Sequence, residues 1–384
     1  MLRKANTNSQ KAIFELVKAG LWADVKSTDL RNHGFAETVD WDEVYRLAEE
    51  QSVQGLVLAG IERLKNAKLY LDLDQELLLQ WIGEVQILEQ QNRAMNRFIN
   101  GMVDELNKKS IDAVLIKGQG VAQCYERPLW RSPGDVDLLL NEDYYEKGKK
   151  YLARFSETEP KEYSFNKEFI TTVNGWPLEL HGALRYGLSA ALNRGVDDIQ
   201  RHICDNHHVR YWDNDGKKIP LPEENDDVLV IFTHYIKHFY KGGLGIRQIC
   251  DWCRLLWTYK ETIDAVLLEK RLRSMGLITE WRAFAAYAVG FLDMPIEAMP
   301  LYDDSSKWRH KAEKIQDFIV KSGNLGHNED RSYFTKYPFL VRKTISMFKR
   351  ICVMFRHFGI FPMSTIKYLP HILATGLWSA AKGE

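Results

Sequence analysis

Two segments decide how this chain reads: Ala113-Val-Leu-Ile-Lys-Gly-Gln-Gly120 and, after a loop holding two prolines, Gly134-Asp-Val-Asp-Leu-Leu-Leu140. The first is a short apolar run closed by a glycine-rich turn, the pattern of a buried strand passing into a short helix over residues 121–125. The second is another strand, and Asn141 after it is a good N-cap for a helix over residues 142–155. Alternation along a strand sends Asp135 and Asp137 to one face, with Cα atoms roughly 6–7 Å apart, and sends Val136, Leu138 and Leu140 to the other. A one-residue slip would bury both charges, so the register is strongly specified.

Working outward, the first hundred residues place apolar side chains at helical spacing, as in Trp41-Asp-Glu-Val44-Tyr45-Arg-Leu47-Ala48. Between residues 162 and 184 strand-like alternation returns on both sides of Asn174-Gly175, a strong hairpin signal. A second hairpin is expected around Asp213-Asn-Asp-Gly216. From Pro222 onward the pattern is helical almost to the end. The expected fold class is therefore α+β: a small mixed β-sheet with flanking helices, preceded and followed by helical regions. The expected divisions are an N-terminal helical region at 1–110, the sheet core at 111–222, a helical region at 223–336 and a basic amphipathic tail at 337–384.

Composition is that of an ordinary globular protein, with 45% hydrophobic and 27% charged residues, which excludes disordered and fibrous classes. Net charge is zero, but its distribution is uneven. From Arg331 on, nine Lys or Arg accompany a single acid, Glu384. Such a tail can meet anionic lipid, nucleic acid or an acidic face of its own protein. The polar start lacks the apolar core of a secretory signal, and no segment reaches the length of a membrane span. Five scattered cysteines then suggest reduced thiols and a cytoplasmic location. Cys250-Asp-Trp-Cys253 has no second pair and sits in an amphipathic pattern, so core packing is its expected role.

Asp135 and Asp137 can share a divalent cation, and Glu179, on the strand after the hairpin, is the best third carboxylate. Mg²⁺ prefers oxygen ligands and keeps several waters, so a few carboxylates plus substrate phosphates are enough to hold it. Lys117-Gly118-Gln119-Gly120 could present backbone N–H groups to phosphate oxygens, with Lys117 adding a point charge. Arg131 suits either a phosphate or an acid that would order its loop. His181, His234, His238 and Arg247 are candidate acceptor or phosphate contacts. His234 and His238 share a helix face but lack the glutamate of the metalloprotease motif, and Arg247 and Asp251 could equally form a plain ion pair four residues apart.

The order of strand, glycine turn, helix, strand with Asp-x-Asp and later strand with Glu resembles the DNA polymerase β-like nucleotidyltransferase superfamily. More narrowly, Leu115-Ile-Lys-Gly118, Arg131, Gly134-Asp-Val-Asp-Leu138 and Glu179-Leu-His181 are similar to an uncharacterised bacterial nucleotidyltransferase family. His234-Tyr-Ile-Lys-His238, Gly245-Ile-Arg247 and Asp251 extend that resemblance, which spans roughly residues 40 to 260. It implies Gly118 as the turn glycine, Asp135 and Asp137 as metal ligands, and Glu179 as the third acid. One departure is Gln119, where the superfamily usually has Ser or Gly.

The implied activity is transfer of an NMP group from an NTP to an acceptor (a small molecule, a protein or a nucleic acid) with release of pyrophosphate. Two Mg²⁺ ions about 4 Å apart would stabilise the attacking and leaving oxygens. The alternative is a catalytically inactive nucleotide-binding or scaffold protein. Peripheral membrane contact through the basic tail, in envelope polysaccharide synthesis, is a further expectation.

Overall fold

A computed structural model describes residues 7–22, 39–241, 243–322 and 338–382 of the chain. The first few residues, together with Arg331, Lys336 and Glu384 of the basic tail, lie outside the described residues.

Four helices come first: α1 (Thr7–Leu21), α2 (Trp41–Glu50), α3 (Gln54–Asn66) and α4 (Gln75–Asn107). Asp40 caps α2 through the Glu43 N–H, and Asp74 caps α4 through the Glu76 and Leu77 N–H groups. α1 and α3 cross at glycines, because a Cβ on Gly60 would lie 2.1 Å from the Leu16 carbonyl and one on Gly20 would lie 2.0 Å from the Leu56 carbonyl. α4 covers 33 residues, about 50 Å, and its second half lays Met95, Ile99, Met102, Val103 and Leu106 on the sheet.

The sheet contains β1 (Ala113–Ile116), β2 (Val136–Leu140), β3 (Lys161–Tyr163), β4 (Glu168–Val173) and β5 (Trp176–His181), in the order β1-β2-β5-β4-β3. β2 and β5 run parallel, and the other neighbours are antiparallel. The crossover between β2 and β5 carries α6 (Glu142–Leu152), capped by Asn141 as its sequence predicts. The short helix after β1, α5 (Gly118–Ala122), begins three residues earlier than its pattern suggests, because Lys117 and Gly118 both take positive φ and turn the chain at once. Residues 153–155 form a 3₁₀ turn, so α6 ends before them.

Asn174 and Gly175, with φ of 49° and 76°, make the two-residue hairpin turn expected of Asn-Gly. The second hairpin, β6 (Val209–Asn214) and β7 (Lys217–Pro222), turns on Asp215 and Gly216 and pairs further toward its tip than the sequence suggests. Between the hairpins lies α7 (Ala190–Cys204).

The helical remainder comprises α8 (Glu224–Lys241), α9 (Ile246–Thr258), α10 (Ala265–Met275), α11 (Ile278–Leu292), α12 (Ser306–Ser322), α13 (Phe339–Phe358) and α14 (Pro362–Lys382). The observed architecture is α+β, as expected.

Both faces of the sheet are covered. Val136, Leu138, Leu140, Leu178 and Leu180 face α4 and α6, whereas Val114, Ile116 and Leu139 join a second core with the C-terminal helices. That second core is aromatic, with Phe232, Tyr235, Phe239, Trp252, Trp281 and Phe284 fully buried. Cys250 and Cys253 lie in it as ordinary buried thiols, their pKa values pushed up by burial. Asp137, Glu179 and His181 alternate onto this same face of the sheet, so they meet α8 rather than α4.

Candidate active site

The site is built on one register. β2 and β5 lie side by side with Asp137 opposite Glu179 and Leu139 opposite His181. Because the strands are parallel, both acids rise from neighbouring Cα positions on the same face. Ligand atoms of Asp137, Glu179 and His181 all lie within 4.8 Å of one another. Asp135 is one residue ahead of β2, at the strand's head instead of within it, and its donor atoms fall outside that group. The turn abuts it: a Cβ at Gly118 would sit 3.4 Å from the Asp135 carbonyl, and Gly118 has φ of 48°.

Lys117 enters the cluster from the end of β1. Its φ of 62° and ψ of −155° belong to a region suited to glycine, a strain of about 1–3 kcal/mol that aims its ammonium across the sheet. Lys117 Nζ lies 2.6 Å from Asp137 Oδ1, and His181 Nε2 lies 2.8 Å from the same oxygen. His181 Nε2 is also 3.6 Å from Glu179, and its Nδ1 is 3.7 Å from Glu168.

α8 closes the site from above. Lys237 reaches Glu168 at 3.9 Å, His234 Nδ1 lies 3.5 Å from Lys117 Nζ, and His234 and His238 contact each other at 3.0 Å. A recess beside the cluster is lined by Ile116, Lys117, Glu168, His181, Tyr186 and Lys237.

Electrostatics follow from the count of charges. Three carboxylates, Asp135, Asp137 and Glu179, surround one ammonium in a poorly hydrated place. Burial and then repulsion from Asp137 and Asp135 push Glu179 up to about 8. Burial and then Asp135 push Asp137 up to about 7 against the pull of Lys117. Asp135 is held below the usual range, since Lys117 and Arg247 outweigh its burial. Lys117 stays charged because the three acids outweigh its desolvation. His181 falls to about 4 through burial and the Lys117 charge, so it is neutral at physiological pH. The cluster thus has an excess of acid that a divalent cation would balance, and its oxygen donors suit Mg²⁺.

Several expected contacts turn inward. Arg131 forms a buried two-bond pair with Asp251, Nε to Oδ1 at 2.7 Å and a terminal nitrogen to Oδ2 at 2.8 Å, with Tyr125 Oη donating to Oδ1 at 2.7 Å. Its role here is the loop-ordering one. Gln119 donates to Asn92 Oδ1 at 2.6 Å beneath the turn, away from the site. The Gly120 N–H closes onto the Lys117 carbonyl, and a Cβ there would stand 2.8 Å from Leu221, so this glycine serves packing. Arg247 donates to the carbonyls of Ser132 and Pro133, bracing the loop that leads to Asp135; it does not pair with Asp251.

Glu168 and Lys237 were not among the expected site residues. Glu168 comes beside His181 only through the antiparallel register of β4 and β5, and no local pattern marks it.

Another three-residue group, His202, His208 and Glu223, lies at the surface. Its two rings stack face to face at 3.8 Å, and their Nδ1 atoms are already engaged, that of His202 with Asp226 and that of His208 with Glu223.

Comparison with known proteins bears on this geometry. No curated protein matches the chain. Among solved structures, an antigenic nucleotidyltransferase-like protein from Paracoccidioides brasiliensis is 12% identical, aligning with 52% of this chain and 93% of that one at a TM-score of 0.31. That likeness is too slight to carry an argument about activity. Residues 37–293 match the family described as uncharacterised nucleotidyltransferase, a span that holds every residue of the cluster. The chain therefore belongs to that nucleotidyltransferase family.

Proposed function

We propose that the chain is a Mg²⁺-dependent enzyme of polymerase β-like type that transfers an NMP group from an NTP to a hydroxyl or phosphate acceptor. The observation that carries this reading is the register of Asp137 against Glu179 on adjacent parallel strands, with Asp135 at the strand's head. Asp135, Asp137 and Glu179 would hold the ions. When bound, Mg²⁺ would supply charge neutralisation at the attacking and leaving oxygens.

The chain's own groups account for the rest. The acceptor oxygen forms a bond to the α-phosphorus, the bond to the β-phosphate oxygen breaks, and pyrophosphate departs. Glu179, opposite Asp137 on the neighbouring strand, is placed to orient the acceptor's hydroxyl and to take its proton when bound cations keep the carboxylate ionised. Lys117, cationic and 2.6 Å from Asp137 Oδ1, would offer its charge to phosphate oxygens beside the acids. Neutral His181 holds Asp137 in place by a 2.8 Å hydrogen bond. The backbone N–H groups of Gly118 and Gln119 remain the candidates for the β- and γ-phosphates, and Gly120 leaves that set.

A second reading has one observation behind it. Lys117 and His181 both occupy Asp137 Oδ1, so the cluster has its own internal cation, as a nucleotide-binding scaffold without catalysis would. Pyrophosphate release from each of the four NTPs, with Mg²⁺ and a cell extract as acceptor source, separates the two. Wild type should release pyrophosphate and label an acceptor, and Asp135→Ala/Asp137→Ala should lose at least about a thousandfold. Activity that survives the double substitution excludes this site. NTP binding without turnover supports the scaffold.

A further inference from the structure

α13 and α14 each carry two apolar faces, and among the described residues only one of them packs into the core. On the docked side, Met354, Ile360, Phe361, Tyr368 and Ile372 enter the main core. His357 is buried among Phe239, Tyr240 and Phe318. The opposite side is exposed. On α13, Val341, Phe348 and Phe355 recur every seven residues and are 43%, 67% and 74% exposed. A seven-residue step drifts only about 20° around a helix, so these three make one stripe, roughly opposite Val353 and Met354. On α14, Met363, Ile366 and Leu377 are 77%, 58% and 61% exposed, and their spacing of three and then eleven residues also keeps one face.

Of the fifteen large hydrophobic residues exposed among the described residues, eight lie in these two helices. An apolar concentration of this kind marks an interaction surface. Charge decides what it fits. Residues 338–382 contain seven Lys or Arg and no Asp or Glu. Arg342, Lys349 and Arg356 directly follow Val341, Phe348 and Phe355 at the same seven-residue step; Arg356 is exposed beside the stripe, and Arg342 and Lys349 are half-buried at its margin. Lys367 follows Ile366 in the same way on α14.

We propose that the exposed face of α13 and α14 is a docking surface for an anionic lipid bilayer, on which the helices lie flat with Phe348, Phe355, Met363 and Ile366 in the acyl boundary. Basic side chains flanking an apolar stripe can keep their stems on the apolar layer and their charges among headgroups. No helix among the described residues is long and apolar enough to cross a membrane, which is consistent with surface binding. A second copy of this chain is a poorer occupant, because two faces of the same positive sign would meet without an acid to pair them. An acidic nucleic acid fits the charge but leaves the aliphatic stripe of α14 unused. The surface is independent of the nucleotidyltransferase site, and its test does not depend on turnover.

The experiment is flotation of the full chain with vesicles of phosphatidylcholine alone, or with about 30% phosphatidylserine added. Wild type should float with the anionic vesicles and remain behind with the neutral ones. Phe348→Ser/Phe355→Ser/Met363→Ser/Ile366→Ser should abolish flotation. These positions are exposed, so an unchanged melting temperature confirms that the fold is kept. Arg356→Gln/Lys367→Gln should weaken partitioning about fivefold per charge, roughly 25-fold together. Absence of wild-type flotation overturns the proposal, as does equal flotation of the four-site serine variant. A dimer in lipid-free solution that the serine variant dissociates would assign the surface to a second copy instead. Tighter binding of a single-stranded oligonucleotide than of anionic vesicles would assign it to nucleic acid.

Discussion

Replacing Arg131 by alanine should destabilise the chain by about 3–5 kcal/mol while leaving nucleotide affinity of the folded protein within a few-fold. The magnitude comes from what is left behind. Arg131 and Asp251 side chains are 6% and 8% exposed, and two parallel bonds of 2.7 and 2.8 Å join them. Without the guanidinium, a carboxylate only 8% exposed loses two charge-assisted bonds and keeps the Tyr125 hydroxyl as its side-chain donor. In urea unfolding with a slope near 3 kcal/mol per M, the midpoint should fall by roughly 1–1.7 M. Arg131→Lys keeps the charge but not the fork, and should cost about 1–3 kcal/mol. Arg131→Met/Asp251→Leu removes both charges and should be more stable than Arg131→Ala alone. Titration of each variant with Mg²⁺ and a fluorescent NTP analogue completes the comparison. An alanine variant as stable as wild type but with affinity reduced a hundredfold would refute the bracing argument and return Arg131 to phosphate binding.

Gly60→Ala should cost about 3 kcal/mol or more, since its Cβ would lie 2.1 Å from the Leu16 carbonyl and force α1 off α3. Gly83→Ala, in the middle of α4 with nothing within 4 Å, should instead stabilise by about 0.5–1 kcal/mol, and thermal unfolding of the pair checks both signs. His357 gives a pH test. Burial holds its pKa down to about 3, whereas the unfolded chain protonates near 6.5. Between those values the unfolded state binds one more proton, so this contribution is complete above pH 6.5 and is lost as pH falls, by about 1.4 kcal/mol per unit. His357→Phe should flatten the stability curve by that slope from pH 6.5 down to where the fold is lost. An unchanged slope in urea titrations would show that His357 titrates normally. Asp137→Asn, which keeps the side chain's shape, should lose at least about a hundredfold in pyrophosphate release, and a variant of undiminished rate would exclude Asp137 as a ligand.

Much of the fold was legible because its signals are local. The Asn174-Gly175 turn needs two residues with positive φ, and those two supply it whatever surrounds them. The Asn141 cap likewise depends on side-chain oxygen within two residues of its N–H partner. The alternation around Asp137 was readable because the apolar Val136, Leu138 and Leu140 keep to one face, although β2 is covered on both sides and Asp137 is itself buried. Where a helix starts was read less well, as at α5, because the positive φ of Lys117 is imposed by the turn's surroundings and not by lysine's own preference.

Sequence alone determined most of the helical and strand segments (α7 and β3 went unread), the two hairpins and the placing of Glu179 and His181 on alternate positions of their strand, since periodicity and turn chemistry act over a few residues. Only the tertiary structure decided which groups meet. Spatial neighbours chose that β5 lies against β2, that Arg131 pairs with Asp251 across 120 residues of chain, that Lys117 lies on Asp137, and that Glu168 joins them. A buried charge must find a partner or be left at a cost of several kcal/mol, and which partner is within reach depends on how helices and sheet pack.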